Sequence, residues 1–186
     1  MLQGIRTHRG EALEANEVRS VDQLADVDGL IIPGGESTTI GKLLNDFGLR
    51  EPLRQRVAAG MPVFGTCAGA IALARNVGGL PHPLIGLMDL SVKRNAFGRQ
   101  LQSFEADVPI PAIGIPAMRA IFIRAPAITA AGDGVQVLAR LPDGSIVAAR
   151  QRNMLALSFH PELTRDDRLH AYFADIVFSF SHRPAA

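Results

Sequence analysis

Cys67, the only cysteine among the 186 residues, sits in Phe64-Gly65-Thr66-Cys67-Ala68-Gly69-Ala70. An apolar stretch from Pro62 leads into it, and small residues open a helix behind it. This is the cysteine counterpart of the Gly-x-Ser-x-Gly elbow, in which a sharp strand-to-helix turn lifts a nucleophile into a cleft. Glycine on either side suits a turn where a Cβ would strike the neighbouring strand or helix. The helix start adds partial positive charge at the sulfur, which favours an anion there. Ser158-Phe159-His160-Pro161-Glu162 supplies the complement. His160 ends an apolar run, 154–159, that reads as a buried strand. It therefore lies at the sheet edge where α/β folds bind ligands. Pro161 stiffens the link to Glu162. Cys67, His160 and Glu162 form a candidate triad of nucleophile, proton carrier and orienting carboxylate. Taken singly, a cysteine in an apolar run packs as a small hydrophobe, and a histidine near a C-terminus sits on the surface. The elbow frame and the strand-end position argue against those plainer readings.

The elements that must position these groups follow from periodicity. Residues 28–33 read as a short buried strand ending in a Gly-Gly turn. Residues 38–47 read as a helix with Ile40, Leu43, Leu44 and Phe47 on one face. A second helix spans about 51–59, and Gly60 ends it. Strand 62–65 and helix 68–75 follow. Strand, helix, strand, helix implies parallel pairing. The second half is strand-like at 87–94, 103–110, 119–124, 135–141, 145–150 and 154–159, with a Pro142-Asp143-Gly144 hairpin turn between two of these. Helix 168–180 closes the chain, with Leu169, Tyr172, Phe173, Ile176 and Val177 inward. The fold class read from this order is α/β: an open, mostly parallel sheet flanked by helices, with an added antiparallel segment.

Composition narrows the function classes. A chain that is 47% hydrophobic with a net charge of +1 can bury one core, and its length fits one domain, 1–186. Lysine and arginine are scattered, so no nucleic-acid footprint is expected. No apolar run approaches the roughly 20 residues that span a bilayer, and no signal peptide is evident; no membrane contact is expected. One cysteine excludes a disulfide framework within the chain and fits a reducing cytoplasm. The five histidines, His8, His82, His160, His170 and His182, show no paired ligand spacing, so no metal and no cofactor are expected.

Two further segments carry polar chemistry. Pro33-Gly34-Gly35-Glu36-Ser37-Thr38-Thr39 joins a strand to a helix; its backbone N–H groups could cradle an anion, or Ser37 could simply cap the helix. It lacks the Lys-Ser/Thr ending of a P-loop. Arg94-Asn95-Ala96-Phe97-Gly98-Arg99-Gln100 is a polar loop between strands. In Ile121-Phe122-Ile123-Arg124-Ala125-Pro126 an arginine ends a very apolar strand and needs water or a partner, either Glu105, another internal acid or a substrate carboxylate.

Together, segments 33–39, 64–70, 94–100, 122–126 and 158–163 resemble the class I, triad-type glutamine amidotransferases. The loop 94–100 and the Phe-Ile-Arg-Ala-Pro segment resemble more narrowly the glutaminase branch that serves pyridoxal 5′-phosphate (vitamin B6) synthesis. The resemblance spans about 18–180 and implies a flavodoxin-like amidotransferase fold. It implies that L-glutamine is hydrolysed to L-glutamate and ammonia through a γ-glutamyl thioester on Cys67, with His160 as general base and acid and Glu162 orienting it. Gly35 and Ala68 would form the oxyanion hole through backbone N–H groups. Gly35, Glu36, Ser37, Arg94, Ile123 and Arg124 would bind substrate. The ammonia would pass to a barrel-type synthase partner in a hetero-oligomer, and the oxyanion hole would be incomplete until that partner docks. Family members begin with an apolar strand leading into Leu-Gln-Gly, whereas here Met1 directly precedes Leu2-Gln3-Gly4; the expectation is an N-terminal strand missing or shortened. Alternatives are another class I glutaminase, disfavoured by the 94–100 segment; a Cys-elbow peptidase-like or chaperone-like protein, disfavoured by His160 and Glu162; and a crippled regulatory subunit.

Overall fold

The computed structural model describes residues 6–7, 10–79, 82–94 and 103–182. In chain order they form α1 (Val21–Ala25), β1 (Leu30–Ile32), α2 (Ser37–Asp46), α3 (Arg50–Ala58), β2 (Val63–Thr66), α4 (Ala68–Leu73), β3 (Ala74–Gly78), β4 (Met88–Lys93), β5 (Ser103–Val108), β6 (Met118–Ile123), β7 (Ala127–Ala131), β8 (Gln136–Arg140), β9 (Ile146–Gln151), β10 (Met154–Leu157) and α5 (Arg168–Ser181). The main sheet runs β1-β2-β10-β9-β7-β4-β3, with β8 on β9, and β5-β6 make a separate antiparallel pair. Pairing is parallel at β1-β2 and β2-β10, where the site lies, and again at β3-β4. The expected α/β class and the antiparallel addition are both present.

Alternation along the short strands builds two cores, because successive side chains leave opposite faces. Val63, Met154 and Ala156 pack with Leu24, Leu53, Val57, Met61 and Ile71 beneath the N-terminal helices. Phe64, Leu155 and Leu157 pack with Phe122, Phe159, Leu169 and Phe173 beneath α5 and β6. Phe64 meets Phe173 at 5.4 Å, and Phe122 meets Phe159 at 5.5 Å. Burying an aromatic or leucine side chain of this kind stabilises by about 1.5–3 kcal/mol, so this layer pins the ends of β2, β6 and β10 to one another.

Three expectations change. The helix after Cys67 ends at Leu73, and Ala74 turns into extended backbone (ψ 139°) to begin β3. Strand β7 was not foreseen. Its alanines favour a helix locally, but it is held between β4 and β9, and pairing overrides that preference. On α2, Ile40 and Leu44 pack on the core, whereas Leu43 and Phe47 are exposed, because the apolar stripe is wider than the surface α2 covers.

Candidate active site

Strand β2 ends at Thr66, and Cys67 turns the chain at φ 49°, ψ −106° before α4 begins. A non-glycine residue held there costs on the order of 1–3 kcal/mol and persists only where its surroundings enforce it. They do so here. The Cys67 N–H donates to the Leu157 carbonyl at 2.8 Å, tying the elbow to the end of β10. A Cβ on Gly65 would lie 2.5 Å from the carbonyl carbon of Gly69, and one on Gly69 would enter the Ile32 carbonyl. Both flanking glycines are therefore steric necessities, as the sequence frame implied.

The parallel β2-β10 pair places His160 beside that elbow. The His160 N–H donates to the Ile121 carbonyl at 2.9 Å, which joins the histidine to β6. Its Nδ1–H donates to Glu162 Oε1 at 2.7 Å. Glu162 lies in the 3₁₀ turn Pro161–Leu163, which brings its carboxylate back onto the ring. Interaction with the Cys67 side chain first, and with Glu162 second, outweighs burial and raises His160 to about 9. Burial pushes the Glu162 carboxyl up, but the bond from His160 and a backbone bond more than offset it, so the group sits below its ordinary value. An imidazolium held by a carboxylate next to a sulfur can donate a proton to a leaving group and take one back from water.

Of the expected oxyanion donors, Ala68 is the first residue of α4, where a helix leaves its N–H groups without internal partners. Gly35 has no atom within 4 Å of where a Cβ would be. Its neighbour Gly34, to which the sequence reading gave no separate role, is the close one. A Cβ on Gly34 would overlap His160 Cε1, lie 3.0 Å from Nδ1 and reach Cys67 Cβ at 3.4 Å. The paired glycines after β1 were the available signal; which of them faced the histidine was not legible.

The cap of α2 is Glu36, whose carboxylate accepts from the Thr38 N–H at 3.3 Å and its hydroxyl at 2.9 Å. Ser37, weighed as the cap, is buried in the first turn, so the capping role goes to the longer side chain next to it. The Thr38 hydroxyl and then its N–H lower the Glu36 carboxyl, and the charges of Arg94 and Arg124 lower it further. Two expected substrate-binding arginines thus lie close enough to act on the carboxylate of a third such residue. Arg124 is exposed at φ 45°. It is not held by Glu105, which instead accepts from Arg119 at 2.9 Å across the β5-β6 pair. The Ile123 carbonyl lies 3.9 Å from Cys67 Sγ, at the nucleophile itself. Residues 95–100 of the polar loop lie outside the described residues. Among the described residues, no three of His, Cys, Asp and Glu group as a metal site, and no helix is long and apolar enough to cross a membrane.

A strained cysteine elbow in an α/β sheet, beside a histidine-carboxylate pair that follows the next parallel strand, is the arrangement of an enzyme that works through a covalent cysteine intermediate. Residues 3–179 match the SNO glutamine amidotransferase family, and the chain belongs to it. It is 57% identical over 165 residues to the pyridoxal 5′-phosphate synthase subunit PdxT of Carboxydothermus hydrogenoformans, covering 89% of this chain and 86% of that one. Its identity to the subunit of the same name from Parafrankia sp. is 56% over 177 residues, covering 94% and 87%. A glutamine amidotransferase of known crystal structure superposes with a TM-score of 0.84 at 49% identity, covering 89% of this chain and 87% of that one.

Proposed function

We propose that Cys67, His160 and Glu162 hydrolyse L-glutamine to L-glutamate and ammonia for a pyridoxal 5′-phosphate synthase. The observation that carries this reading is the 2.7 Å His160–Glu162 bond presented beside the Cys67 elbow. The Cys67 thiolate attacks the side-chain amide carbonyl. The oxyanion is met by the N–H groups of Gly35 and Ala68; a single such donor is typically worth roughly 3–4 kcal/mol. Imidazolium His160 gives its proton to the nitrogen as the C–N bond breaks, releasing ammonia and leaving a γ-glutamyl thioester and neutral imidazole. Water then gives a proton to His160 as it attacks, and the C–S bond breaks to restore thiolate and imidazolium. Glu162 keeps the ring oriented throughout and does no bond chemistry itself.

One acid and two guanidiniums at the site suit a zwitterionic amino acid. Glu36 faces its ammonium, and Arg94 and Arg124 face its carboxylate, with Ser37 and the Ile123 backbone completing the seat. The subunit names of the relatives support a synthase partner for this chain, and we assign to it the barrel-type synthase of the resemblance, which receives the ammonia in a hetero-oligomer. Glutamate formation by the purified chain, with and without such a synthase, tests the reading. Turnover that rises sharply with the synthase and vanishes in Cys67→Ala supports it. Turnover surviving in Cys67→Ala refutes the nucleophile. A folded chain with no turnover in either case favours the crippled-subunit alternative.

A further inference from the structure

Behind the triad lies a polar group that the reaction above does not use. Glu162 engages His160 through Oε1 alone; its Oε2 is buried with no hydrogen-bond partner among the described residues. Thr66 Oγ1 is buried and unpartnered in the same way. Thr66 is two residues beyond Phe64 on β2, so both side chains leave the sheet on the face that α5 covers. On that face His170, only 5% exposed, stands edge-on to the Phe64 ring with centroids 5.9 Å apart. His170 lies in the first turn of α5, eight residues after Glu162, and its neighbours Leu169, Phe173 and Val177 are apolar. An imidazole in such a place escapes the cost of burial where its ring nitrogens meet a partner or water, and His170 lines a groove that also holds Asn16, Glu17 and Asp28. Packing against Phe64 alone would be served as well by leucine.

We propose that His170 is a positioning residue for the reaction: its ring N–H is donated across one bridging water to Glu162 Oε2, so the carboxylate is held at both oxygens and Oε1 stays aimed at His160. The electrostatics agree. Burial holds His170 below its ordinary value, against the opposing pull of the Glu162 and Asp167 carboxylates. At neutral pH the ring is therefore uncharged, with one N–H to give. A half-buried carboxylate that meets its partner through one oxygen can swing away, and a second donor removes that freedom. A neutral donor also keeps Oε1 turned to the charged His160 without adding a second cation that would compete for the carboxylate.

The inference rests on the glutaminase reading, and its test separates the two. Glutamate formation is measured for the chain complexed with its synthase, as wild type, His170→Leu and His170→Gln, each also in a Glu162→Ala background. His170→Leu is expected to lower kcat roughly tenfold to a hundredfold, the range of a hydrogen bond to a charged group, with KM for glutamine unchanged. His170→Gln, which keeps an N–H, recovers most of the rate. In the Glu162→Ala background His170→Leu costs nothing further. An unchanged kcat in His170→Leu, or the same fold-loss without Glu162, overturns the proposal and leaves His170 a packing residue. A second readout needs no His170 variant: in the full chain, the His170 ring nitrogen resonances should move on Glu162→Ala, and unmoved resonances overturn the proposal even if His170→Leu fails to fold. Wild-type complex that forms no glutamate refutes the glutaminase reading instead.

Discussion

Substituting Gly34→Ala adds one methyl group at the closest approach of the β1–α2 turn to the triad. Its Cβ would overlap His160 Cε1, lie 3.0 Å from Nδ1 and touch Cys67 Cβ at 3.4 Å. Ordinary contact begins at 3.4 Å, so either the imidazole or the turn must give by roughly 1 Å. Neither is free to do so cheaply. The ring is held by Glu162 at 2.7 Å, and the His160 backbone is tied to Ile121 at 2.9 Å. The turn lies between β1 and the helix capped by Glu36. Overpacking a site of this kind costs about 1–3 kcal/mol of stability. A 1 Å displacement of a catalytic group costs about a hundredfold in rate. Glutamate formation by the synthase complex should therefore fall about a hundredfold, with thermal melting lowered by several degrees. Gly78→Ala is the control: its Cβ would meet only the Val92 carbonyl at 3.8 Å, an ordinary contact. A Gly34→Ala chain that melts and turns over like wild type would refute the assignment of Gly34 as the glycine that closes on His160.

Other consequences are equally direct. His160, raised to about 9 chiefly by Cys67, has a folded value above its ordinary one, so its contribution to stability is full below about 6.5 and is lost as pH rises through about 9. NMR titration should show that midpoint, and Cys67→Ala should lower it while Glu162 keeps part of the rise; an unchanged midpoint would exclude the cysteine as the main cause. Glu162→Gln removes the charge that orients His160 and should reduce turnover without abolishing it; a wild-type rate would take Glu162 out of the mechanism. Gly69→Ala drives a Cβ into the Ile32 carbonyl, a backbone atom of β1, and should cost at least about 1–3 kcal/mol in denaturant unfolding. Phe64→Ala opens a cavity beneath α5 and should cost about 3–5 kcal/mol.

Much of this protein is written locally. The Gly-x-Cys-x-Gly frame dictates an elbow because its geometry admits no Cβ on either side, and His160-Pro161-Glu162 carries its own carboxylate two residues from its histidine. Both are short-range facts, as are the continuous apolar runs of β2 and β10 and the turn at Asp143-Gly144. The strand that escaped notice, β7, is a run of small residues whose local preference is helical; only β4 and β9 on its two flanks make it a strand. The helix after Cys67 stops at Leu73 for a similar reason, since Ala74 pairs with Met88. Partners close in space and distant in sequence were likewise decided by the fold. Arg119, not Arg124, takes Glu105, because antiparallel pairing of β5 with β6 sets Glu105 opposite Ile121 and brings Arg119 to it diagonally. Gly34, not Gly35, meets His160, and a histidine in the first turn of α5 arrives at the phenylalanine layer beneath the triad. Residue types and spacing determined which groups could react; the parallel register of β2 with β10, and the packing of α5 across them, decided which groups meet, because side-chain direction depends on pairing across the sheet and no single segment contains that information.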